Sequence, residues 1–144
     1  MENIHVRALL PADYEAVLAF WRQTPGICLS EADSQEAIAV FLERNPGLSF
    51  IAEADRCLLG TLLCGHDGRR GFLYHLAVHP EHRRKGIGKQ LVKHGLDGLK
   101  QAGINKCHLF VLADNGQGLA FWNSLGFPAR KDICICSHNI GCSC

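Results

Sequence analysis

The sequence predicts an α/β sandwich, a mixed sheet with flanking helices, built as a single domain over residues 1–144. Three observations carry this. A chain of 144 residues is long enough for one sizeable core and too short for two domains. With 47% apolar and 20% charged residues, its composition is that of an ordinary globular protein. Short apolar runs of strand length alternate along it with segments whose apolar residues recur at helical spacing.

The elements follow in order. Ile4 to Ala8 alternates and reads as a first strand. Pro11 suits the opening of a helix, in which Tyr14, Val17, Leu18 and Trp21 share one face until Pro25 and Gly26 end it. Asp33, with Glu36 three residues on, reads as a capping box for a second helix, with Ile38, Phe41 and Leu42 on one stripe and Pro46-Gly47 as its stop. Leu48 to Ala54 and Cys57 to Cys64 read as a hairpin turned at Asp55-Arg56, and Phe72 to Val78 as a further strand halted by Pro80. From Lys85 to Gln101 the period is helical again, with Gly103 as the cap. Cys107 to Leu112 reads as a strand, Leu119 to Leu125 as a short helix and Ile133 to Cys136 as a last strand. The predicted order is β-α-α-β-β-β-α-β-α-β.

A formal net charge of +1 supplies no global field, so neither a nucleic acid nor a membrane is expected as partner. Charged residues break up the segment from Met1 to Arg22, which argues against a secretory signal, and no apolar run is long enough to span a membrane. A cytoplasmic location is expected, and in that setting Cys28, Cys57, Cys64 and Cys107 read as small hydrophobes.

The informative segment runs from Leu76 to Gly88. A strand enters a basic, glycine-containing loop that opens straight into an amphipathic helix. Unpaired amides at a helix N-terminus and the helix dipole favour an anion there, and Gly86 and Gly88 leave the backbone open to approach. Arg83, Arg84, Lys85 and Lys89 add positive charge. The Gly-Lys-Ser/Thr ending of a nucleotide-hydrolysing P-loop and the three-glycine dinucleotide fingerprint are both missing.

Arg83-x-x-Gly86-x-Gly88 resembles the Arg/Gln-x-x-Gly-x-Gly/Ala signature of the GNAT superfamily of N-acetyltransferases. Leu76-Ala77-Val78-His79-Pro80 is similar to that family's fourth strand, and Asn115, Ala120-Phe121-Trp122 and Leu125-Gly126-Phe127 to its second signature, over nearly the whole chain. The resemblance implies a GNAT-like, mostly antiparallel sheet and acetyl-CoA as co-substrate, with no metal expected. Amides and side chains from Arg83 through Arg84, Lys85, Gly86, Ile87, Gly88 and Lys89 would hold the pyrophosphate. Backbone groups of Leu76, Ala77 and Val78 would pair with the pantetheine arm and polarise the thioester carbonyl. Asn115 and Phe121 would also contact the coenzyme. The implied reaction is direct acetyl transfer to an amine within a ternary complex, the amine belonging to a small molecule or a peptide.

Two departures bear on the chemistry. Where many members place an acidic Tyr in the final helix, this chain has Trp122, whose indole donates a hydrogen bond but is no acid near neutral pH. Either water or another side chain completes the proton transfer, or Trp122 packs over the coenzyme. Where two branches of the family carry a glutamate base, Phe110 and Phe72 stand instead. Strand alternation places Tyr74 on the face where other members carry their base, to orient water or the amine, and turns His75 toward the helix layer. Tyr74 and Trp122 are therefore the catalytic candidates, with Glu53, His66 and Asp67 as further groups near the substrate side. Acceptor specificity is expected from Gln23 to Asp33, His66 to Gly71 and the C-terminal strand, where Glu31, Asp33, Glu36 and Asp67 read equally as attractors of a cation or as solvated charges. The rival reading, a non-catalytic acyl-CoA-binding module, rests on the lost Tyr and the missing carboxylate base. Cys134-x-Cys136 and Cys142-x-Cys144 have spacing too tight for a zinc knuckle. The short tail leaves a sheet edge that a homodimer would cover.

Overall fold

A computed structural model describes residues 3–141. It divides into two compact units, the first ending at Leu112 and the second beginning at Ala113. The first holds a five-stranded sheet in the order β1 (His5–Ala8), β2 (Phe50–Ala54), β3 (Cys57–His66), β4 (Gly71–Val78) and β5 (Cys107–Leu109). All neighbours are antiparallel except β4 and β5, which are parallel. That pair needs a crossover, supplied by α3 (Ile87–Gln101).

Alternation along β3 sorts the layers. Leu63, with Ile51 and Ala77, packs under α1 (Tyr14–Arg22) and α2 (Gln35–Arg44), against Val17, Trp21 and Ile38. Leu62 and Cys64 face the opposite side, where α3 lies so close that a Cβ on Gly95 would come within 3.0 Å of Leu62. Of the α1 face read from the sequence, Tyr14, Val17 and Trp21 are buried and Leu18 is half-buried, while α3 buries Ile87, Leu91 and Leu99.

Several boundaries differ from the sequence reading, each for a physical reason. Ser34, not Asp33, caps α2, its hydroxyl accepting from Ala37 N, while Asp33 closes a 3-10 turn whose cap is Ser30. Helix α3 begins at Ile87 because Gly86, at φ +82°, is a left-handed cap. Strand β5 stops at Leu109, since β4 bulges just beyond their last paired residues, Leu73 and Leu109, and a bulge bends its strand away. In the second unit α4 (Gly116–Ser124) begins three residues earlier than expected, capped by Asn115 Oδ1 accepting from Gly118 N. The strand expected over Ile133 to Cys136 is not formed; those residues are exposed, with no pairing partner among the described residues to make a ladder. Among the described residues no helix is long and apolar enough to cross a membrane.

Candidate active site

The bulge in β4 organises the first unit's chemistry. Leu63 pairs with Tyr74 and Thr61 with Ala77, so two residues of β4, His75 and Leu76, lie opposite the single residue Leu62. His75 takes φ +50°, an uncommon left-handed value for a non-glycine residue. Thr61, fully buried, holds the distortion: its hydroxyl donates to His75 O and accepts from Trp21 Nε1, both at 2.9 Å.

The bulge overturns the simple alternation. Tyr74 and His75, which strict alternation would split between the two faces, instead line one cavity together, so His75 does not turn away from Tyr74. That cavity, of about 390 Å³, is lined by Cys28, Ser30 and Asp33 from one side, Ile38 and Phe41 from α2, and Leu63, Tyr74 and His75 from the sheet. His75 Nε2 donates to Asp33 Oδ1 at 2.7 Å. The other carboxylate oxygen of Asp33 accepts from Ser30 N at 3.0 Å, and its carbonyl from the Tyr14 hydroxyl at 2.7 Å. Asp33 is thus buried and fully engaged, not a solvated charge.

Tyr74 stands within an aromatic wall, its ring centroid 6.3 Å from Phe72, 6.4 Å from Phe110 and 6.2 Å from Phe41. Burial, with a smaller contribution from Cys107, raises the Tyr74 pKa above its usual value. The phenol therefore keeps its proton near neutral pH, a state in which it can donate a hydrogen bond but not serve as a base. The other polar candidates are occupied. Glu53 accepts from Arg7 Nε at 2.9 Å, His66 Nδ1 accepts from Gly68 N, and Asp67 closes its own turn by accepting from Arg69 N and Arg70 N.

Past Leu73, the edge of β4 that faced β5 has no ladder partner among the described residues, and Leu76, Ala77 and Val78 lie along it. The loop beyond turns at Arg84, φ +66°, and Gly86. Arg83 folds back, donating from Nε to Val78 O at 3.3 Å, while Arg84, Lys85 and Lys89 are exposed. Gln90 N is the first amide of α3 to bond within the helix, to Gly86 O, so those of Ile87, Gly88 and Lys89 point outward at its start. A Cβ on Gly86 would meet nothing within 4 Å, which leaves the cradle open. The residues present therefore fit a pyrophosphate with an attached arm. Asn115, Phe121 and Trp122 belong to the second unit, where Trp122 packs edge-on against Phe121 and Phe127 at 5.2 and 5.3 Å. No group of three or more His, Cys, Asp or Glu that could hold a metal occurs among the described residues, and Cys142 and Cys144 lie outside them.

An open strand edge running into an anion cradle suits a long phosphorylated donor with an amide-bearing arm, and the class this defines is the coenzyme A-dependent transferase. The sequence model of the acetyltransferase (GNAT) family matches residues 14–127, and the chain belongs to that family. It is an acyltransferase that depends on acetyl-CoA. An acetyltransferase of Pectobacterium atrosepticum is 30% identical over 92% of this chain and 93% of its own. The PaiA N-acetyltransferase of Thermoplasma acidophilum, solved with coenzyme A, superposes with a TM-score of 0.73 at 26% identity, covering 85% of this chain and 87% of that one. An aminoglycoside 6'-N-acetyltransferase of Acinetobacter haemolyticus gives 0.76 at 22% identity over 95% and 99%, a likeness of fold.

Proposed function

We propose that this chain is a cytoplasmic N-acetyltransferase that moves the acetyl group of acetyl-CoA directly to an amine of a small molecule or peptide. The observation that carries the reading is the unpaired edge of β4 leading into the Gly86 cradle. The pantetheine arm pairs along Leu76 to Val78 as an added strand, and the pyrophosphate sits on the amides of Ile87 to Lys89. The acceptor enters the cavity on the α1/α2 side. Phe41, Ile38, Leu63 and Tyr74 in its lining favour an amine carried on an apolar or aromatic body.

Calorimetric titration with acetyl-CoA tests the donor site. A thiol-release screen over spermidine, phenylalanine, tobramycin, trialanine and 2-phenylethylamine tests the acceptor. Binding with release for one amine class is expected. Gly86→Trp fills the cradle mouth and is expected to weaken acetyl-CoA binding at least 10-fold while the chain stays folded. Binding without release in any amine overturns the transferase reading, and unchanged binding by Gly86→Trp overturns the placement of the pyrophosphate.

A further inference from the structure

Acetylating an amine near neutral pH requires removing a proton, because an alkylamine with a pKa near that of lysine, about 10.4, is almost wholly charged there. The positions at which related branches carry a glutamate are Phe72 and Phe110, and Tyr74 is held protonated. The cavity nevertheless contains a group able to accept a proton. His75 gives its Nε2 hydrogen to Asp33, so the neutral ring leaves Nδ1 bare. Nδ1 has no hydrogen-bond partner among the described residues, and no buried side-chain nitrogen or oxygen there lacks one, so Nδ1 reaches open space. His75 also lines the cavity.

We infer that His75, oriented by Asp33, takes the proton from the acceptor amine; this rests on the transferase reading above. The ammonium gives one proton to His75 Nδ1, which releases it to solvent; the freed lone pair attacks the thioester carbonyl carbon, and the C–N bond forms as the C=O π pair moves to oxygen. The C–S bond then breaks, its electron pair leaves with sulfur, and the thiolate is protonated. Two protons thus leave nitrogen, one to solvent by way of the imidazole and a second that His75 Nδ1 takes from the tetrahedral adduct and returns to the thiolate as the carbonyl re-forms, so no acid is needed at Trp122. Asp33 is a positioning residue: it fixes the tautomer and faces the imidazolium with a carboxylate, as the acid of a hydrolase triad does. The geometry is built for this. Thr61 pins the bulge that turns His75 into the cavity, and Trp21 packs edge-on to the ring at 4.8 Å. The strained backbone of His75 is what a purely structural histidine on a regular strand would not require.

The titratable groups around the ring are Asp33 from the 3-10 turn, Cys28 from the segment before it and Tyr74 from β4. Trp21 of α1, Thr61 and Leu63 of β3 and Phe41 of α2 contribute none.

The experiment uses His75→Gln in the full chain, with acetyl-CoA and whichever of the five screened amines wild type turns over fastest. A glutamine amide still donates to Asp33 but accepts no proton. Acetyl-CoA affinity is expected to stay within 2-fold of wild type. The kcat/KM is expected to fall about 100-fold at pH 7.5, with the deficit shrinking toward pH 10 as the amine loses its proton unaided. Asp33→Asn, which reverses the tautomer, is expected to lower kcat at least 10-fold, and it serves as the test if His75→Gln does not fold. Wild-type turnover by either variant, or a loss equal at every pH, overturns the role of the pair alone. No release from wild type with any of the amines overturns the transferase reading, and this inference with it.

Discussion

Thr61 is the residue on which the site's geometry turns. A single threonine inside the apolar run of β3 joins α1, through Trp21 Nε1, to the bulged carbonyl of His75. Thr61→Val keeps the shape and removes both hydrogen bonds, leaving a buried indole N–H and a carbonyl without partners. The expected cost is about 2–3 kcal/mol, read as a lower urea midpoint with an unchanged slope; a change below about 0.5 kcal/mol would show that water replaces the hydroxyl. At this scale the sequence was only partly legible. Trp21 was placed on the correct helical face, yet its partner was hidden in a run that reads as uniform strand. The available signal was the hydroxyl itself, since a polar residue amid buried apolar neighbours must be hydrogen-bonded. Asp33 was misassigned for a related reason. Spacing to Glu36 mimics a capping box, whereas the carboxylate closes the preceding turn and reaches a histidine 42 residues away.

Among elements, the β2–β3 hairpin shows how local chemistry can be readable and still suboptimal. Asp55-Arg56 was recognisable as a two-residue turn, and both residues have positive φ, 51° and 63°, as the favoured type I′ hairpin turn demands. A left-handed conformation costs an L-residue about 1–2 kcal/mol, and glycine avoids this at an entropic cost of about 0.5–1 kcal/mol. Arg56→Gly is therefore expected to stabilise the chain by about 0.5 kcal/mol, seen as a small rise in the urea midpoint; a fall would mean that Arg56 makes a contact in the folded state that outweighs the strain. The basic loop before α3 was legible by the same local logic, because Gly86 at a helix start and the charges beside it depend on near neighbours. The bulge in β4 was not. It depends on register between two strands, and a two-residue repeat read along one strand cannot show that its partner is one residue short.

For the molecule as a whole, burial separates the six described cysteines by reactivity. Burial pushes the Cys64 thiol up to about 12, with Cys107 adding to the shift, and burial pushes Cys107 to about 11. Both stay protonated at pH 8 and so lack the reactive thiolate. Cys28, Cys57, Cys134 and Cys136 are exposed. Alkylation at pH 8 with peptide mapping is expected to label these four first, and Cys64 and Cys107 only after denaturation. Native labelling of Cys64 as fast as Cys57 would contradict the packing of β3 under α3. The sequence by itself determined the family, the order of elements from β1 to α4, the faces that α1 and α3 bury and the basic loop that opens α3 at Gly86, because periodicity, turn chemistry and a short loop motif act between near neighbours. Only the tertiary structure decided that Ile133 to Cys136 forms no strand, that β4 loses β5 beyond Leu73, and that Tyr74 and His75 share one cavity with Asp33. Those outcomes depend on which strand pairs with which, in what register, and on contacts between residues tens of positions apart. No local pattern encodes them.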